Sequence, residues 1–199
     1  MSAPALAAAP AGGFADPVRD AAFAFRALLD ATAQPGRVFA LGAGVLAPPP
    51  LSPAAAAALL TLADADAPVW LAPSLRAPAV EGWLRFHLST APEAEPSRAA
   101  YAVGRWDDIA GLDWPVGSAE HPDRSVTLIV EVEALREGAG ARISGPGVAG
   151  ARRLAVDGVG SGFWAARAAN RALFPLGWDA ILTAGATVAA LPRATRAEL

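Results

Sequence analysis

The sequence predicts an α/β fold, a mixed β-sheet with helices packed on both of its faces. In the first half of the chain, short apolar runs that suit strands alternate with segments of helical periodicity. In the second half, strand-like runs follow one another closely, which is typical of local pairing. The chain has 199 residues, of which 54% are hydrophobic and 18% charged. That length and composition predict one folded domain with a sizeable core.

Helix starts are marked by polar residues followed by proline. Asp16 and Ser52 each precede a proline, so each is expected to cap a helix. The first helix carries apolar residues at helical spacing, namely Val18, Ala22, Phe25 and Leu29. We expect this stripe to face the core. Further helices are predicted at residues 53–62, 78–88 and 161–173.

Strand predictions rest on short runs of apolar and β-branched residues. The clearest run is Ser-Val-Thr-Leu-Ile-Val-Glu-Val at residues 125–132. Five other strands are predicted, at residues 37–41, 67–71, 101–104, 141–144 and 181–184. A sixth follows at residues 187–191, divided from the fifth by Gly185, and the two suit a hairpin or a pair of closing strands.

Two segments bear on domain organisation. Residues 1–14 are rich in Ala, Pro and Gly and contain no positive residue, so we predict a loose N-terminal tail rather than a secretory signal. Residues 15–199 are then a single domain. Residues 38–63 carry no charge and are long enough to span a bilayer, but four prolines interrupt them. The sequence therefore predicts no membrane segment.

The chain contains neither lysine nor cysteine. Without lysine there is no Schiff base to a carbonyl or to pyridoxal phosphate, and no standard Walker A loop. Without cysteine there are no disulfides, iron–sulfur clusters or thiol nucleophiles, which is compatible with the cytoplasm. The net charge of −3 and the scattered arginines argue against nucleic acid as a partner.

One segment matches the spacing of a dinucleotide-binding loop: Gly-Pro-Gly-Val-Ala-Gly at residues 145–150. That motif needs a following helix whose first amides face a pyrophosphate, whereas residues 152–156 suit a strand or an irregular segment. We therefore expect a tight turn. Ser161 lacks the Gly-x-Ser-x-Gly spacing of a hydrolase nucleophile and is expected to cap a helix instead.

Paired acids and histidines are the candidates for catalytic or metal-binding groups. The paired acids are Asp64 with Asp66 and Asp107 with Asp108. We expect both pairs to lie at helix ends on the surface. His87 and His121 are far apart and lack a second ligand at helical spacing. No metal site is therefore predicted.

The arginines are the candidates for contacts with a ligand or partner. A guanidinium group binds phosphate or carboxylate through two parallel hydrogen bonds. Four residues are singled out as contacts to an anion or to a partner protein: Arg85, His87, Arg193 and Arg196. The chain also has six tryptophans, and Trp and Arg dominate protein interfaces. These features favour a protein that works with partners.

Several segments, in order, resemble one known family. They include Leu-Arg-Phe-His at residues 84–87, Phe-Pro-Leu-Gly-Trp-Asp at residues 174–179 and Leu-Pro-Arg-Ala-Thr at residues 191–195. The other matching segments are residues 16–36, 60–71, 117–119 and 144–147. The family is the H subunit (PhnH) of the carbon–phosphorus lyase core complex of bacterial phosphonate utilisation. The resemblance extends from residue 16 to residue 196.

The resemblance implies a three-layer α/β/α sandwich, similar in layout to pyridoxal-phosphate transferases but without their cofactor. It implies an accessory cytoplasmic subunit that has no catalytic residue or cofactor of its own and assembles with the G, I and J subunits. In that system the G, H, I and L subunits are needed to join a phosphonate to the ribose C1 of ATP. The product is a ribose 1-phosphonate 5-triphosphate, whose C–P bond the J subunit later breaks.

Two alternatives stay open. The chain could bind an anion such as a phosphonate or triphosphate through Arg85, Arg193 or Arg196. It could also be a free-standing homodimer with a ligand of its own. The resemblance further implies that the isolated subunit forms a homodimer, through the face that otherwise meets a partner subunit.

Overall fold

The computed structural model describes residues 12–199, which form five α-helices, two short 3₁₀ helices (Pro73–Leu75 and Pro96–Arg98) and nine strands. The helices are α1 (Pro17–Ala33), α2 (Pro53–Leu62), α3 (Pro78–Leu88), α4 (Trp106–Ile109) and α5 (Gly160–Arg171). The strands are β1 (Phe39–Ala40), β2 (Val69–Leu71), β3 (Tyr101–Arg105), β4 (Thr127–Glu131), β5 (Ala134–Ser144), β6 (Arg152–Asp157), β7 (Asp179–Ala184), β8 (Thr187–Leu191) and β9 (Arg196–Glu198).

Two of the predicted helix caps are confirmed and one is wrong. The Asp16 carboxylate accepts a hydrogen bond from the Arg19 N–H, and the Ser52 hydroxyl accepts one from the Ala55 N–H. Helix α5, however, follows Val159 and has no side-chain cap, so Ser161 lies within its first turn. The chain enters α5 already in a helical conformation at Val159, which leaves Ser161 past the capping position.

A six-stranded mixed sheet has the strand order β1-β8-β7-β4-β3-β2. Strands β2, β3, β4 and β7 are parallel, and β8 and β1 extend the sheet in antiparallel pairs. In the centre, Ile129 pairs with Val103 on one side and with Ile181 on the other. The predicted α/β fold with a mixed sheet is confirmed. So is the β7–β8 hairpin, which turns at Gly185 with φ +56°.

A second, antiparallel sheet has the order β6-β5-β9. Strand β5 starts seven residues before the predicted strand at 141–144, and its pairing with β6 shifts register between Glu137 and Ala141. Residues 145–151 connect β5 to β6 without a helix, so the predicted turn is confirmed.

Side chains of the six-stranded sheet alternate between two hydrophobic core clusters. Val69 and Leu71 of β2 belong to the first cluster, with residues of α1, α2 and α3, whereas Trp70 belongs to the second. The second cluster also contains residues of α4, α5, β5 and β6. Within residues 12–199, no helix combines the length and apolar character needed to cross a bilayer.

The predicted core face of α1 is wrong. Val18, Phe25 and Leu29 are 85%, 53% and 45% exposed, and the helix instead buries Ala24, Leu28 and Ala31. The buried face packs near the five consecutive alanines of α2, residues 54–58, which are all fully buried. Small residues on both helices permit a close approach of the two backbones, so the bulkier stripe is left on the outside.

The chain before α1 contacts α3. The Trp83 indole N–H donates a hydrogen bond to the Gly12 carbonyl, and Phe14 packs against the first core cluster. These contacts belong to the last three residues of the predicted tail. Residues 1–11 lie outside the described residues, and the domain boundaries at 14 and 15 stay a prediction.

Candidate functional site

Arg193, one of the predicted contact residues, is held by its own chain. Its Nε donates to both carboxylate oxygens of Asp179 at 3.2 Å, and its Nη2 donates to Asp179 Oδ2 at 2.5 Å. Nη1 donates to the Pro122 carbonyl at 2.7 Å, and Nη2 also reaches the Ser125 hydroxyl. Arg193 therefore ties the segment after β8 to the starts of β4 and β7.

A second arginine at this end of the molecule is buried, and the sequence reasoning missed it. Arg167 of α5 donates from Nη2 to the Pro192 carbonyl at 2.7 Å, and its guanidinium lies 4.9 Å from the centre of the Trp178 ring. Burial lowers the pKa of Arg167 to about 10, against the opposing effect of Asp179. The side chain is thus still cationic at neutral pH.

Arg171 lies one turn after Arg167 and donates from Nε to the Ala194 carbonyl at 3.1 Å. The two side chains together fix the segment between β8 and β9. Their spacing of four residues on a predicted helix was the available signal, because it places both on one helix face. Arg196 begins β9, which pairs with β5, and is exposed.

Arg85 and His87 lie in the last turn of α3. Arg85 is exposed and pairs with Glu81 one turn earlier at 3.2 Å. His87 is half-buried, with its ring centre 5.0 Å from that of Trp83 and 4.9 Å from that of Phe86. The four predicted contact residues therefore occupy two places: one on α3, and one around the start of β9.

The remaining polar motifs form no catalytic arrangement in the described residues. Asp64 accepts a hydrogen bond from the Asp66 N–H in the turn after α2, and Asp108 accepts one from the Ser74 hydroxyl. His121 lies in an exposed turn capped by Ser118. Among residues 12–199, no three His, Asp or Glu side chains lie close enough to hold a metal ion.

The glycine-rich segment 145–150 packs against the end of α1. A Cβ added at Gly147, where φ is +79°, would lie 2.1 Å from the Ala33 carbonyl oxygen. The glycine is therefore required by a close backbone contact within the fold. Strand β6, and no helix, follows this segment, so the arrangement of a dinucleotide-binding loop is not formed here.

Helix α1 carries an exposed apolar face. We call it the α1 stripe and define it by Val18, Ala22, Phe25 and Leu29. Arg26 and Arg19 lie beside it on the helix, both exposed. A contiguous exposed apolar face rimmed by charged residues is typical of a protein-binding surface.

A cavity of about 320 Å³ lies where parallel strands end. We call it the edge cavity; its lining includes Ser74, Arg105, Glu131, Val132 and Glu133. Arg105 and Glu131 are the last residues of β3 and β4, and Ser74 follows β2. Burial raises the pKa of Glu131, while hydrogen bonds from Ser52 act in the opposite direction.

Comparison with known proteins connects this architecture to one family. The family profile described as "Bacterial phosphonate metabolism protein (PhnH)" matches residues 12–198. The chain is 42% identical over 191 residues to the alpha-D-ribose 1-methylphosphonate 5-triphosphate synthase subunit PhnH of Rhizobium meliloti (strain 1021), covering 94% of each chain.

A second relative is a putative C-P lyase subunit protein, HtxG, of Stutzerimonas stutzeri. The identity is 33% over 177 residues, covering 88% of this chain and 85% of the relative. Both matches span most of the described domain, and the resemblance seen in the sequence is confirmed. The chain therefore belongs to the PhnH family of bacterial phosphonate metabolism proteins.

Proposed function

We propose that the chain is the H subunit of a ribose 1-methylphosphonate 5-triphosphate synthase in a carbon–phosphorus lyase system. In this role it is non-catalytic by itself and is needed for joining ATP to a phosphonate during phosphonate catabolism. The observation that carries the proposal is the α1 stripe, an apolar surface on a helix that is otherwise well anchored. The name of the Rhizobium meliloti relative supports the same role.

The α1 stripe is proposed as the surface that meets another subunit. Fully burying a Val, Leu or Phe side chain contributes about 1.5–3 kcal/mol. Val18, Phe25 and Leu29 offer three such side chains on one helix face, which is enough to dominate an interface. The partners in this proposal are the G, I and J subunits, and the isolated chain forms a homodimer through the same stripe.

We also propose a layer architecture for the domain and a cellular compartment for the subunit. The two core clusters on the six-stranded sheet support a three-layer α/β/α sandwich, with a layout like that of pyridoxal-phosphate transferases. The chain has no lysine to hold pyridoxal phosphate, so the proposed scaffold works without that cofactor. We place the subunit in the cytoplasm, where the ATP used by the proposed complex is made.

Co-purification tests the proposal. The tagged chain is co-expressed with the G, I and J subunits, as wild type, as Phe25→Glu and as Leu173→Glu. Phe25 and Leu173 are similarly exposed, but Leu173 lies after α5, away from the stripe. We expect Phe25→Glu to lose the other subunits and Leu173→Glu to retain them. If wild type retrieves none of them, the subunit role is wrong; if Phe25→Glu retrieves all of them, the stripe is not the interface.

The predicted residues Arg85, His87, Arg193 and Arg196 remain proposed as contacts to an anion or a partner. The exposure of Arg85 and Arg196 supports direct contact, whereas Arg193 would have to exchange the partners that hold it. Calorimetric titration with ATP and with methylphosphonate tests the alternative of an anion-binding protein. Heat that disappears in Arg85→Ala or Arg196→Ala would favour it, and no heat in wild type would exclude it.

A further inference from the structure

The edge cavity lies where the chain diverges to the two faces of the sheet. After β2 the chain turns into α3, whose buried residues join the first core cluster. After β3 it turns into α4, whose Trp106 and Ile109 join the second. Connections that leave adjacent parallel strands toward opposite faces open a crevice at the carboxyl ends of the strands. In α/β proteins this crevice is the usual place for a small ligand.

The chemically distinctive group in the edge cavity is Glu131. Its Oε1 accepts a hydrogen bond from the Ser52 N–H at 2.8 Å, and its Oε2 accepts one from the Thr183 hydroxyl at 3.3 Å. Both donors are neutral. A largely buried carboxylate usually has a cation among its direct partners, because burial penalises an uncompensated charge.

The nearby cation, Arg105, forms its ion pair with another carboxylate and acts on Glu131 only through its charge, which lowers the pKa of Glu131. Arg105 lines the same cavity, but its Nη2 donates to Glu133 Oε1 at 3.2 Å. Asp108 adds a further carboxylate beside the cavity through its 2.5 Å hydrogen bond with Ser74. Among the residues that line this cavity, Arg105 is the one cation and Glu131 and Glu133 are the carboxylates. The resulting field attracts cations and repels phosphate-like anions.

We propose that the edge cavity binds a small organic cation, a primary amine whose ammonium group donates to the Glu131 carboxylate. The ammonium supplies the charged donor that Glu131 lacks, and the alkyl part of the ligand lies against Val132 and Leu75. Ser74 offers its hydroxyl oxygen as a second acceptor. The inference goes beyond the proposed function, since it concerns a ligand bound by this subunit itself.

Three probes of equal chain length and different charge test this site: n-butylammonium, 1-butanol and butyrate. We expect calorimetric titration at neutral pH to show n-butylammonium binding at least tenfold more tightly than 1-butanol, and no binding of butyrate. Glu131→Gln should weaken n-butylammonium at least tenfold. Asp113→Asn removes an exposed carboxylate elsewhere and should leave the affinity unchanged.

The Arg105→Ala variant is expected to change the affinity for n-butylammonium in the opposite direction. This test does not depend on whether the Glu131→Gln variant folds stably. Removing the guanidinium frees Glu133 and makes the cavity more negative, so the affinity for n-butylammonium should rise severalfold. The inference is overturned if n-butylammonium gives no heat, if 1-butanol binds equally well, or if a folded Glu131→Gln variant binds as wild type does. It is also overturned if Arg105→Ala leaves the affinity unchanged or lowers it. Because the isolated subunit is used, these outcomes are independent of whether the chain assembles with other subunits.

Discussion

Arg193 and Asp179 form a fork-like ion pair in which Nε and Nη2 of the guanidinium reach both carboxylate oxygens. The Arg193 side chain is only 15% exposed. Lysine cannot reproduce this geometry or reach the Pro122 carbonyl at the same time. We expect Arg193→Lys to lower the free energy of unfolding by about 2–3 kcal/mol, measured by urea denaturation.

The Arg142–Glu198 pair provides the matched control. These side chains lie 3.6 Å apart and are both more than half exposed, so Arg142→Lys should change the free energy of unfolding by less than about 0.5 kcal/mol. Equal effects of the two substitutions would show that the Arg193 contacts add no specific stability.

The exposure of the α1 stripe predicts that a substitution there changes the free energy of unfolding less than a substitution in the core does. Phe25 is exposed, whereas Leu28, three residues later, is buried in the first core cluster. Phe25→Ser should therefore change the free energy of unfolding by no more than about 0.5 kcal/mol, and Leu28→Ala should lower it by about 2–4 kcal/mol. Urea titrations of the dilute chain, in which self-association is minimal, measure both values.

The reverse order, with Phe25→Ser the more damaging change, would mean that the stripe is buried in the folded chain. Equal and large losses would point to a dimer that must form before the chain is stable.

The features that the sequence predicts well are local ones. Asp16 and Ser52 cap their helices through atoms three residues away, and Gly185 turns a hairpin between adjacent strands. Such signals are contained within a few residues, so no knowledge of the rest of the fold is needed. The prediction of a mixed sheet likewise rests on local signals, the short apolar runs of the strands.

The features that it misses depend on contacts between distant segments. On α1 both the stripe and the buried face repeat at helical spacing, and the choice between them depends on the alanines of α2, more than twenty residues away. Strand β9 has three residues and pairs with β5, over fifty residues earlier. For the candidate site, Arg193 was identified but not its partners, and Arg167 was missed because its carbonyl acceptors come from later loops.

Gly147 is predicted to be a structural glycine. An alanine there would place its Cβ against the Ala33 carbonyl and would adopt an unfavourable positive φ, whereas Gly150 has a similar φ of +74° and open space around it. Gly150→Ala should cost about 1 kcal/mol from backbone strain alone, and Gly147→Ala about 3 kcal/mol or more. Thermal unfolding compares them directly, and equal losses would rule out the close contact with α1.

Glu131 predicts a pH dependence of stability. Burial raises the pKa of Glu131 in the folded chain, with hydrogen bonds from Ser52 and Thr183 and the charge of Arg105 acting against it. In the unfolded chain a glutamate titrates at about pH 4.3. Between these two pKa values the folded chain binds more protons, so the stabilising effect of the protonated group is lost as pH rises through that window. The free energy of unfolding of wild type, relative to Glu131→Gln, should therefore fall from about pH 4 upward and then level off.

Urea denaturation of both proteins at several pH values between about 4 and 8 measures this difference, and all other titrating groups cancel because they are common to the two chains. The glutamine side chain in the Glu131→Gln variant keeps the shape of the glutamate. Its amide oxygen can accept the hydrogen bond from the Ser52 N–H, and its amide nitrogen can donate to the Thr183 hydroxyl, which then donates to the Val130 carbonyl alone. A difference that stays constant with pH, or that grows in favour of wild type as pH rises, would mean that the folded chain does not penalise the Glu131 charge. In that case the carboxylate already has a sufficient charged or solvent partner, and an added ammonium group would gain little from it.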